Sequence, residues 1–159
     1  MIEDGICLIN IEGNGAKKSL PKLLRKNKEE ITLIFLDQDT SVNNFQSSGF
    51  SSNDSYIFIG EKEFEDAFCD KAICLCLNQV WPRNDNTAWE SSHIVEIRSD
   101  KEKKFSDRLM NKIRENSLSE VPNKKSVYGN KIATYCPKEA IPEKIVHLFE
   151  KARKISKAI

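Results

Sequence analysis

Two aspartates, Asp37 and Asp39, follow directly on the apolar run Ile31-Thr-Leu-Ile-Phe-Leu36. Acids at i and i+2 on the exit of a buried strand repel one another unless they are hydrated, separated or bridged by a cation. Hard cations such as Mg²⁺ prefer carboxylate oxygens and keep several of their waters. An Asp-x-Asp at a strand end is therefore one half of a plausible metal site, although aspartate is also an ordinary turn former and helix cap. A second acidic group, Glu61, Glu63, Glu65 and Asp66, follows the short run Tyr56-Ile-Phe-Ile59 and Gly60. Helical spacing would place Glu61 and Glu65 on one face, and the dipole at a helix N-terminus is by itself a sufficient reason for acids there. Carboxylates from both places, converging within a metal's reach, would make a one- or two-metal site for hydrolysis.

The elements that must position these acids read as follows. Residues 5–11 form an apolar run that predicts a strand, followed by a turn at Glu12-Gly13-Asn14-Gly15 and an amphipathic helix over 16–27. Residues 31–36 predict a strand buried on both faces, 41–55 a Ser/Asn-rich loop, and 56–59 a third strand. A helix is expected over Glu61–Phe68 and another over 71–80, stopped by Trp81-Pro82. Residues 83–92 are polar and irregular. Phe105, Leu109 and Ile113 form the apolar stripe of a polar helix over 101–115. A linker at 117–126 leads into a helical stretch beginning at Lys131–Tyr135, which Pro137 interrupts. The last helix starts at Ile141-Pro142, with Ile145, Val146, Leu148, Phe149 and Ala152 inward. Strand, helix, strand, loop, strand, helix is an α/β order, and ligands of such sheets sit outside the carboxyl ends of the strands.

The order of these segments resembles the Toprim domain of OLD-family (overcoming lysogenization defect) nucleases. The resemblance rests on Gly5-Ile-Cys-Leu-Ile-Asn-Ile-Glu-Gly13, Ile34-Phe-Leu-Asp-Gln-Asp39, Lys62-Glu-Phe-Glu-Asp-Ala-Phe68, Gly129-Asn-Lys-Ile-Ala133 and Ile141-Pro-Glu-Lys-Ile145. It implies a small, mostly parallel sheet flanked by helices with a helical C-terminal part, occupying residues 1–159 as one domain with an insertion over 83–128. It implies Mg²⁺ or Mn²⁺ held by Asp37 and Asp39, with Glu65 and, as companions, Asp66 and Glu63. It implies Lys131 beside the scissile phosphate of DNA, and an ATPase domain or subunit as partner in defence against phage or plasmids. The family's domain opens with a strand ending in Glu. This chain starts at what resembles the second strand, and neither Glu3 nor Glu12 takes that place. The expectation is thus a metal-dependent endonuclease domain or, if the missing Glu is not supplied, an inactive DNA-binding or protein-interaction module.

Other residues carry weaker chemistry. Cys69, Cys74 and Cys76, with Cys7, Cys136 or His93 as a fourth, fit the spacing of zinc knuckles poorly and read as buried thiols. His147 lies near the inward stripe of the last helix. Trp81, Trp89, Lys101, Lys103, Lys104 and Arg108 are of types that stack on or attract nucleic acid, although Trp81 beside Pro82 suits a packing anchor.

The 159 residues, 39% hydrophobic and 31% charged, describe a globular chain rather than a disordered one. Residues 1–100 hold 10 Lys/Arg against 17 Asp/Glu, and residues 101–159 hold 15 against 7. An acidic half for chemistry and a basic half for a polyanion is one reading; lysine-rich surface for solubility is the other. With five cysteines, no basic apolar leader and no run near the roughly 18 apolar residues of a membrane span, a cytoplasmic protein with reduced thiols is expected, free to form homo-oligomers.

Overall fold

A computed structural model describes residues 31–37 and 54–157. The expected strand at 5–11, the helix at 16–27, most of the 41–55 loop and Asp39 lie outside the described residues.

The two apolar runs form strands β1 (Leu33–Asp37) and β2 (Ser55–Ile59), which pair in parallel. The pair is tied at its entry. The Thr32 N–H donates to Asp54 Oδ1 at 2.7 Å, and the Ser55 N–H to the Thr32 carbonyl at 3.0 Å. Tyr56 and Phe58, two residues apart and so on one face of β2, meet edge to face at 5.3 Å. Five α-helices follow: α1 (Asp70–Val80), α2 (Ser91–Ser99), α3 (Phe105–Asn116), α4 (Lys125–Tyr135) and α5 (Glu143–Ser156). This is an α/β chain with a helical C-terminal part, as the apolar runs predict.

The described residues fall into two compact units. One holds β1, β2 as far as Phe58, and α5 from Lys144; the other is Ile59–Glu143. In the first, the Lys151 ammonium of α5 donates to the Ser55 hydroxyl at 2.8 Å. Ile145, Leu148, Phe149 and Ala152 are half-buried, but Val146 is exposed, and so is His147, contrary to the inward stripe expected there.

The second unit is a helical array in which α1 packs on α2 and α4, and α2 packs on α3. Its core follows from the helical period. Ile73 and Leu77 of α1, Ile94 and Ile97 of α2, Leu109 and Ile113 of α3, and Tyr128 and Ile132 of α4 are spaced three or four apart and all buried. Trp81, which ends α1, stacks on Tyr128 with ring centroids 5.1 Å apart. Trp89 donates its indole N–H to the Trp81 carbonyl at 2.7 Å. Both indoles are 2% exposed. They are packing anchors, with no face left to stack on a base.

Helix α4 begins at Lys125, inside the expected linker and before the expected start at Lys131, and two further elements differ from expectation. Residues 61–68 are not a helix. Gly60 turns the chain at φ +72°, and the Asp66 carboxylate folds back to accept the N–H groups of Glu61, Lys62 and Glu63 at 2.7, 2.9 and 3.0 Å. A carboxylate that satisfies local N–H groups in this way offers the backbone an alternative to the helix, and only a three-residue 3₁₀ turn, Glu65–Ala67, remains. Conversely, α2 forms in a polar stretch. Asn78 exchanges two hydrogen bonds with the Trp89 backbone, at 2.7 and 3.1 Å, and a capping box between Glu90 and His93 starts the helix.

Candidate functional site

Asp37 is the last residue of β1 and is half-buried, so the strand delivers its carboxylate to the carboxyl end of the parallel pair. Its partner in the motif, Asp39, lies outside the described residues.

The acids after β2 are all accounted for within the helical unit. Glu63 is fully buried and Glu65 is 4% exposed. Glu63 Oε2 accepts the Ser106 N–H at 2.9 Å, and Oε1 accepts the Ser106 hydroxyl at 3.1 Å. The Lys125 ammonium lies between the two carboxylates, donating to Glu63 Oε1 at 2.7 Å and standing 3.3 Å from Glu65 Oε2. Lys104 approaches Glu63 Oε1 from the rim, at 3.9 Å. Glu65 Oε2 is buried with the lysine's charge beside it but no hydrogen bond of its own. The helix α4 can come this close because Gly129 faces Glu65: a Cβ there would stand 3.1 Å from Glu65 Oε1.

Burial and pairing push the two acids apart in basicity. For Glu63, burial favours the neutral form, but the bonds from Lys125 and Ser106 outweigh it and hold the carboxyl below its ordinary value. For Glu65, burial dominates; the Glu63 charge adds to it, the Lys125 charge only opposes it, and the carboxyl is raised. One lysine thus serves one ionised acid well and the second incompletely.

These carboxylates do not fit a divalent ion in this arrangement. Asp66 is committed to three backbone N–H groups, Glu63 to Ser106 and Lys125, and the position between Glu63 and Glu65 already holds an ammonium. Among the described residues no group of three or more His, Cys, Asp or Glu side chains gathers to hold a metal. Lys131 is exposed on α4. The lysine in contact with the acids is Lys125, six residues earlier. Sequence reasoning passed over it because Lys124-Lys125 reads as linker surface; its only signal is its place at the first turn of a helix whose inward face carries Gly129.

Of the basic residues singled out at 101–108, Lys101, Lys104 and Arg108 are engaged with their neighbours. Lys101 pairs with Glu61 at 2.7 Å and accepts, through its carbonyl, the Lys62 ammonium at 2.8 Å; Arg108 donates to the Ile97 and Lys104 carbonyls. Arg98 of α2 staples the acidic segment. It pairs with Asp70 at 2.8 Å, donates to the Asp66 and Phe68 carbonyls, and lies 4.7 Å over the Phe105 ring. Of the cysteines, Cys74 and Cys76 are buried thiols, with burial pushing them up to about 11 and about 12, whereas Cys69 is exposed rather than buried. No helix among the described residues is long and apolar enough to cross a membrane.

Comparison of the chain with protein-family models, with curated proteins and with solved structures yields no match.

Proposed function

We propose that the chain serves metal-dependent hydrolysis of phosphodiesters in DNA, as a Toprim-like domain that works with an ATPase in defence against phage or plasmids. The observation that carries this reading is Asp37 at the carboxyl end of a strand in a parallel pair, the place where open α/β sheets bind their ligands. Asp37 and Asp39 are the residues that would hold Mg²⁺ or Mn²⁺, which supplies an activated water and charge neutralisation. Lys131, exposed on α4, is the lysine offered to the polyanion. Glu63, Glu65 and Asp66, expected as ligands from their place after the strand and from the resemblance, serve this reading as framework for the segment after β2.

A second reading is favoured by the engagement of those same acids within the fold. With its second acidic group taken up by Lys125, Lys101 and backbone N–H groups, the chain is a non-catalytic module that binds DNA or a partner protein. Incubation of the chain with supercoiled and linear DNA in Mn²⁺, beside its Asp37→Ala variant, separates the two. Cleavage lost in the variant supports the nuclease. Absence of cleavage, or cleavage that survives the substitution, overturns the assignment to Asp37 and favours the module.

A further inference from the structure

We infer that the Lys125 ammonium is a built-in counter-cation of the Glu63–Glu65 pair, and that emptying its place opens a divalent-cation site in the helical unit. The inference is independent of the nuclease reading. Its basis is local. Two carboxylates, both at least nine-tenths buried, point oxygens at one position, and that position is filled by the Lys125 nitrogen at 2.7 Å from one and 3.3 Å from the other.

Two buried acids side by side are costly unless a cation stands between them. The chain supplies that cation covalently, on the first turn of α4, so the positive charge between the pair is set by folding and not by the metal content of the solution. The match is imperfect in an informative way. An ammonium directs three hydrogens at fixed angles, and Glu65 Oε2 receives none of them. A metal ion has no such directional donors and would draw on both Glu63 Oε1 and Glu65 Oε2, with waters completing its oxygen shell. The Ser106 hydroxyl, 3.1 Å from Glu63 Oε1, orients the first of these oxygens.

The probe is Tb³⁺, an oxygen-seeking ion whose emission is sensitised by nearby tyrosine and tryptophan. Tyr128 lies three residues from Lys125 on α4 and stacks on Trp81. The Asp37→Ala background removes the site proposed on β1. In that background, the chain with Lys125 intact is expected to show no saturable sensitised emission. Lys125→Ala is expected to gain it, to lose it again on competition with Mn²⁺ or Ca²⁺, and to lack it when Glu65→Gln is added. Thermal unfolding is the second readout: Mn²⁺ raises the midpoint of Lys125→Ala and leaves that of the parent unchanged. If Lys125→Ala does not fold in chelator, recovery of helical circular dichroism on adding Mn²⁺ supports the inference, and failure to recover overturns it. Saturable emission from the Lys125-containing parent that is abolished by Glu65→Gln also overturns it, because the ion would then displace the lysine. Failure of DNA cleavage touches none of these outcomes.

Discussion

Glu63 caps helix α3 from a distance of 43 residues: its Oε2 accepts the Ser106 N–H at 2.9 Å, at the first turn of a helix whose own N-cap, Lys104, has no side-chain acceptor to offer. An orphan N–H group of α3 is satisfied by a carboxylate that the helix dipole also favours. The same carboxylate holds Lys125 at the start of α4, so one buried acid ties the segment after β2 to the starts of two helices.

Glu63→Ala should therefore be among the most damaging substitutions in the chain. It leaves Lys125 facing Glu65 alone and the Ser106 N–H without its acceptor. Lys125 and Lys104 are both partly exposed, so water takes up much of the released charge, and the cost is about 1–3 kcal/mol, chiefly the unmet Ser106 N–H and the lost bonds of the acid. Chemical denaturation should show a loss of that order, larger than for Glu61→Ala, whose partner Lys101 is at the surface.

Glu65→Gln should change the pH dependence of stability. A carboxyl whose folded value is raised contributes stability that is fully present below its unfolded value, near 4.5, and is lost as pH rises through the folded value. The variant carries no such group, so its stability relative to the parent should improve as pH rises from about 4.5 toward neutrality. Glu63, held low, has the opposite sign: its stabilisation is present above its unfolded value and is lost as pH falls through the folded one. Equilibrium unfolding between pH 4 and 8 checks the first and its extension into more acid solution the second; a parent-minus-variant difference that is flat between pH 4 and 8 would refute the assignment to Glu65.

Gly60→Ala should destabilise the acidic turn. At φ +72° a Cβ would stand 1.9 Å from the Glu63 carbonyl oxygen and 2.2 Å from Asp66 Oδ1. Backbone strain at such a position costs about 1–3 kcal/mol, to which loss of the Asp66 bonds to Glu61, Lys62 and Glu63 is added. Faster amide exchange at those three N–H groups is the local signature.

Alkylation should discriminate among the described thiols. Cys69 is exposed, whereas Cys74 and Cys76 are buried and pushed up to about 11 and about 12. The thiolate is the reacting form. Mass spectrometry after brief iodoacetamide treatment near pH 8 should find Cys69 modified at least tenfold faster than either, and equal rates would contradict the burial of α1.

Residues close in the chain made much of the fold legible beforehand. The runs 31–36 and 56–59 are too apolar and too short for anything but strands, and Phe105, Leu109 and Ile113 have nowhere to go but inward, because period and hydrophobicity act locally. The sequence alone also placed Asp37 at a strand exit and stopped α1 at Trp81-Pro82. It did not reveal α2, whose start depends on Asn78 reaching the Trp89 backbone, nor the unwinding of 61–68, where Asp66 outcompetes the helix for three N–H groups. Above all, only the tertiary structure decided what Glu63 and Glu65 do. Their partners Ser106 and Lys125 stand 43 and about 60 residues further on. A carboxylate's role is set by which charge or dipole faces it after burial, and residue type and spacing do not carry that information.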